Sequence, residues 1–200
     1  MIKRLALIPA SLALISVGAC TAQDNDAATQ EPSNVATAPS IAATVPPTSS
    51  QVNKGRPVVD RDPCTDLGDE AVGAAGFDHM TRQRIDRIFD TYSFVGCQFD
   101  HKERDQFGMM VTTRTLQVYS TNVTLDEFRE REGSSATPAQ INGRAAITYT
   151  EPAAEACYMV VETSYGTLDI SKSVASVFTQ EKPCDNMQDI ASEIDSSMLD

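Results

Sequence analysis

The chain has no tryptophan and only 2 histidines, and its 16 Lys and Arg face 28 Asp and Glu, giving a formal net charge of −12. So little positive charge excludes a nucleic-acid binder, which needs a cationic footprint to displace phosphate counterions. It also excludes attachment to an anionic membrane through a basic face. Gly-x-Ser-x-Gly, His-Glu-x-x-His, the phosphate loop and the Ca²⁺ loop are all missing, and with them the signatures of several common enzyme classes. No Cys-x-x-Cys pair occurs, which argues against a zinc site. Outside the first twenty residues no segment is apolar for long enough to cross a membrane.

Those first residues carry an address. Lys3 and Arg4 form a small positive region, and Leu5 to Ala19 hold no charge. An uncharged run this short, broken by Pro9, falls below the roughly 20 residues of a spanning helix and fits a secretory signal. Val17-Gly18-Ala19-Cys20 resembles a bacterial lipobox at all four positions. The resemblance implies cleavage after residue 19, a diacylglyceryl thioether on Cys20, and anchoring at the outer face of the cytoplasmic membrane. Attached acyl chains would contribute about 0.8 kcal/mol per buried CH₂.

Residues 21–60 contain no aromatic residue, and 21 of the 40 are Ala, Thr, Ser or Pro. Such a composition predicts a disordered tether over 20–60, because it cannot bury enough apolar area to offset chain entropy. The folded unit is then expected over 61–200, a common size for one domain. It carries four cysteines: Cys64, Cys97, Cys157 and Cys184. In an exported chain they read as two disulfides, with three pairings open and zinc as the competing reading. Asp62-Pro63-Cys64 and Lys182-Pro183-Cys184 each precede an expected helix, and Cys97 and Cys157 fall in expected strands. Pairing like with like predicts Cys64–Cys184 and Cys97–Cys157.

Asp69 and Glu70 suit the first turn of a helix that stops at Gly76. Residues 79–90 are ambiguous: Ile85, Ile88 and Phe89 suggest a helical face, but the segment is short. Val95, Cys97 and Phe99 alternate as a strand, and Asp100–Asp105 reads as a charged hairpin turn before a long strand over 107–119. Thr124-Leu125-Asp126-Glu127 has the form of a capping box. Asn142-Gly143 marks a tight turn into a strand through Ile147 and Tyr149. Two more strands, 157–163 and 167–174, meet at Tyr165-Gly166. Met187, Ile190, Ala191, Ile194 and Met198 recur at helical spacing. The order predicts an α+β domain, a mainly antiparallel sheet packed by N-terminal, middle and C-terminal helices.

Asp62-Pro63-Cys64, Leu67, Gly76, Gly96-Cys97-x-Phe99, Asn142-Gly143-Arg144-x-Ala146, Cys157, Gly166 and Pro183-Cys184 follow one order. That order resembles a large family of actinobacterial envelope lipoproteins of unknown function, the Lpq/Lpr type of mycolic-acid-bearing bacteria. The resemblance spans about 61–198, with Phe99 where the family commonly has Trp and His79 where it commonly has Pro. It implies location and fold type but no catalytic site, and a PsbP-like α/β/α sandwich is one form it could take.

Few residues invite chemistry. His79 beside Asp78 could be an acid/base pair or a turn, and His101 sits in a solvated charged segment. Asp185, Asp189 and Glu193 would stripe one helix face. Tyr149, Tyr158 and Tyr165 could form an aromatic surface, and Arg144 could read an anion or pair with a carboxylate. Three functions follow: a non-catalytic module binding an envelope protein, lipid or cell-wall partner; a carrier with an apolar cavity; or an envelope hydrolase. The first is favoured. No catalytic residue, cofactor or metal is expected.

Overall fold

The computed structural model describes residues 39–198. The leader, Cys20 and the tether up to residue 38 lie outside the described residues. Asp62 opens the first helix by accepting from the Cys64 amide at 2.9 Å, with Pro63 preset for the helical φ. This gives α1 (Pro63–Asp66), and α2 (Asp69–Ala74) follows with its acidic pair in the first turn. The strands are β1 (Asp78–Arg84), β2 (Arg87–Ile88), β3 (Ser93–Arg104) and β4 (Met110–Thr121). After α3 (Leu125–Glu132) come β5 (Thr137–Ile141), β6 (Arg144–Glu151), β7 (Ala156–Thr163), β8 (Gly166–Val174) and α4 (Met187–Ser197).

The strands form one antiparallel sheet in the order β1-β3-β4-β8-β7-β6-β5, and β2 also pairs with β3. This is the expected α+β architecture with its three groups of helices. One face is apolar: Phe99, Leu116, Ile170, Met159 and Val161 pack against Leu67 and Val72 of the N-terminal helices and Ile190, Ala191 and Ile194 of α4. On the other face α3 covers only part of the sheet, setting Leu125 and Phe128 on Ile147, Tyr149 and Val160. Full burial of Phe128 contributes roughly 2–3 kcal/mol. Helices on both faces make an α/β/α layering.

The cysteine pairing differs from expectation: the bonds are Cys64–Cys97 and Cys157–Cys184. Cys97 on β3 and Cys157 on β7 are separated by β4 and β8. Three strand spacings amount to roughly 14 Å, about twice the Cα separation a disulfide tolerates. Each bond instead staples the start of a helical segment to the strand beneath it. The loops span 33 and 27 residues, worth roughly 3–4 kcal/mol each on the chain-entropy model.

Residues 39–60, expected as part of the tether, instead pack on the domain. Val59 and Asn53 are buried. The Ala42 and Ser49 amides donate to Asp69 Oδ2 at 2.7 Å and Asp86 Oδ2 at 2.8 Å. Asn122 Nδ2 donates to the Pro57 carbonyl at 2.8 Å. An Ala/Pro-rich strap can be ordered without a core of its own when another element's side chains satisfy its backbone.

Two local expectations change as well. Residues 79–84 are strand, not helix, because Arg82 points inward with its guanidinium 4.9 Å from the Phe99 ring centre. Asp100–Arg104 continues β3, and the turn lies at 105–109, where Asp105 Oδ1 accepts from the Phe107 and Met109 amides at 2.9 and 2.8 Å.

Candidate functional site

The part of the sheet that α3 leaves open is a cleft of about 640 Å³. Register alone sets its floor. One cross-strand row runs Gly96, Tyr119, Asp169, Val160 and the next Gln98, Gln117, Ser171, Tyr158, Tyr149. Gly96 is required where it stands: a Cβ there would lie 2.1 Å from the Tyr119 ring. With only hydrogen at that position the Tyr119 ring lies against the β3 backbone, where it lines the cleft.

Two aromatic walls flank the floor. On one side Phe89 and Tyr92 lie 4.7 Å apart, and Phe94 stands edge-on to Tyr92 at 5.9 Å and to Tyr119 at 5.8 Å. On the other, Tyr149 and Tyr158 stack in parallel at 4.7 Å. The capping box expected at Thr124 is formed, with the Glu127 amide donating to Thr124 Oγ1 at 3.3 Å and the Thr124 amide donating to Glu127 Oε2 at 2.9 Å. It starts α3 at the angle that brings Arg131 and Glu132 to the rim.

Most charges of the rim are committed to one another. Arg56, from the N-terminal strap, grips both carboxylate oxygens of Glu127 and the Asn122 carbonyl. That grip, with the Thr124 amide, holds the Glu127 carboxyl down at about 2. Arg131 donates to Glu132 at 2.6 Å and to the Tyr149 hydroxyl at 3.1 Å. Tyr158 donates to Glu151 at 3.1 Å. Arg87 makes no ion pair with a described residue and lies over the Tyr119 ring at 5.2 Å.

The floor is different. Asp169 is 8% exposed, yet its Oδ1 has no hydrogen-bond partner among the described residues, and neither has the Tyr119 hydroxyl. Leaving a buried polar group unpaired costs about 1–3 kcal/mol. Burial raises the Asp169 carboxyl to about 7 against the pull of Arg131 and Arg87, with Glu132 adding to the rise. Burial also pushes the Tyr119 hydroxyl up to about 12. At neutral pH the floor therefore presents a phenol that keeps its proton and a carboxyl able to accept or donate.

The structure brings together only two of the residues that sequence singled out. Tyr149 and Tyr158 form a wall, whereas Tyr165 sits in the β7–β8 turn at the far end of β7. His79 Nε2 is 4.0 Å from Asp69, and His101 lies 3.0 Å from Glu103; neither lines the cleft. Asp185 and Asp189 are exposed and Glu193 is half-buried. Arg144 pairs with buried Asp195, and Asn142 donates to the Ser192 carbonyl and Asp195, both at 2.9 Å. The Asn-Gly-Arg motif thus clamps the β5–β6 hairpin to α4. Asp62 likewise caps α1 and takes Arg84 at 2.7 Å. These motifs are braces, and the cleft is built from other residues. Asp169 had one signal, an aspartate inside the apolar stretch Leu168-Asp169-Ile170, where strands disfavour it.

Fold and cleft define a single α+β domain, stapled by two disulfides, with one face of its sheet closed by helices and the other partly open. The chain belongs to the family described as a protein of unknown function, DUF3558, whose model matches residues 15–196. No curated protein and no solved structure matches it.

Proposed function

We propose that the protein is a lipid-anchored, non-catalytic binding module of the bacterial cell envelope, and that the cleft over β4, β8 and β7 is its site. The observation that carries this is the buried, unpaired Asp169 carboxyl and Tyr119 hydroxyl on the floor of an open cleft. Such atoms are tolerated where a ligand completes them. Glu127, Glu132 and Glu151 are already engaged by Arg56, Arg131 and Tyr158. Among the described residues that leaves Asp169 as the one uncommitted carboxyl lining the cleft, which favours binding over a two-carboxylate hydrolase. A carrier of apolar ligands is disfavoured by the polar floor and by the filled core on the other face. The two disulfides support an oxidising compartment, and the lipobox-like Val17–Cys20 supports the anchor.

Native mass spectrometry of the full-length chain, extracted in detergent from the native host, tests the site. An adduct is expected on the wild type and not on Ser171→Trp, which fills the floor; a folded wild type that is bare, with no adduct after incubation with envelope extract, overturns the reading. Palmitate labelling tests the anchor: label and membrane fractionation should both be lost in Cys20→Ser.

A further inference from the structure

The groups that the protein leaves uncommitted in the cleft define the chemistry of what it would hold. Resting on the binding reading above, we propose that the cleft takes a neutral saccharide, whose hydroxyls complete the buried Asp169 carboxyl and the Tyr119 hydroxyl. The two orphaned atoms belong to cross-strand neighbours, Tyr119 opposite Asp169 in the register of β4 and β8. One is a phenol hydroxyl, which can donate and accept; the other is a carboxyl that at neutral pH can accept or donate. A sugar hydroxyl does both at once. An ammonium only donates and would leave the phenol proton without an acceptor, and an acyl chain can satisfy neither group.

The walls point the same way. Phe89 is 45% exposed and Tyr92, Phe94 and Tyr158 are half-buried, so aromatic surface faces the cleft from both sides. The C–H face of a pyranose stacks on such rings, while its edge hydroxyls reach the floor. Gln117 spends its amide on Gln98 at 3.1 Å and leaves its carbonyl oxygen free to accept. The rim charges cancel within the protein as Arg56–Glu127 and Arg131–Glu132, so no strong field selects an anion or a cation. Among the described residues Arg87 at the mouth has no ion-pair partner, so it would tolerate an acidic substituent without requiring one.

The test is titration calorimetry of the detergent-solubilised full-length chain with four probes: maltose, N,N′-diacetylchitobiose, palmitate and tetra-alanine. Saturable binding of at least one disaccharide is expected. Tyr119→Phe, which keeps the ring over Gly96 and removes one oxygen, should weaken it at least tenfold, and Asp169→Asn should do likewise; each variant is checked for native near-ultraviolet circular dichroism. Disaccharide binding that is unchanged in both folded variants overturns the proposal. Palmitate or tetra-alanine binding that Ser171→Trp abolishes, without disaccharide binding, also overturns it and leaves the cleft as a site of other specificity. No binding of any probe by the wild type overturns the saccharide, and a bare chain in native mass spectrometry then removes the cleft reading too.

Discussion

Asp169 is held in its unusual state by burial, and that state makes stability depend on pH. Its folded-state value of about 7 lies above the ordinary 3.8. Between those two values the folded chain keeps a proton that the unfolded chain releases, so stability falls as pH rises through the window. The interval corresponds to up to about 4 kcal/mol at 1.36 kcal/mol per pH unit. Asp169→Asn, a neutral amide in the same space, is expected to flatten the decline and to leave the variant more stable than the wild type at pH 8. Urea midpoints of both chains at pH 5 and pH 8 check this, and parallel slopes would contradict it. The residue was hard to single out from sequence because an aspartate in a strand reads as a solvent-facing position. Only the register beside Tyr119 turns it into a floor.

At the scale of elements, polar clamps rather than apolar area alone fix the edges of the sheet. Asn142 occupies the left-handed region at φ 47°, followed by Gly143 at φ 83°, as the tight turn from β5 to β6 requires. Its side chain then reaches α4, donating to the Ser192 carbonyl, Asp195 and Ser196 and accepting from Ser192 Oγ at 2.6 Å. Asn142→Ala removes these bonds and leaves alanine in a strained conformation. The expected cost is about 2–4 kcal/mol, read from thermal or urea unfolding, with amide exchange fastest in β5 and α4. The turn was legible from Asn-Gly and the helix from its Met and Ile spacing. The clamp between them was not, since residues 142 and 195 meet only through the fold. β1 was missed for a related reason. Buried Arg82, 2.9 Å from Asp69, sits where alternation would call for an apolar residue.

For the whole molecule, the domain begins earlier than composition suggests. The strap at 39–60 carries Arg56 to the rim of the cleft and lays its backbone on Asp69, Asp86 and Asn122. A chain starting at residue 61 loses these contacts and uncovers the surface beneath Val59. It is expected to be less stable than one starting at residue 39 by roughly 3 kcal/mol or more, a drop in Tm of roughly 6–12 °C. Scanning calorimetry of the two chains measures the difference. Equal melting temperatures would mean that the strap lies on the domain without bracing it.

Elements whose causes are local were legible in the chain alone: the capping box at Thr124, the turn at Asn142-Gly143, the paired strands after Cys157, the amphipathic α4 and the α+β class they add up to. These depend on backbone preference and on periodicity within a few residues, which the chain carries wherever it folds. The disulfide partners, the order of the strap and the floor of the cleft arise only once the sheet is assembled. Each depends on which strand lies next to which: two intervening strands keep Cys97 from Cys157, and the pairing of β4 with β8 puts Tyr119 and Asp169 in one cross-strand row. Neighbourhood of that kind is a property of the assembled sheet, and no single segment encodes it.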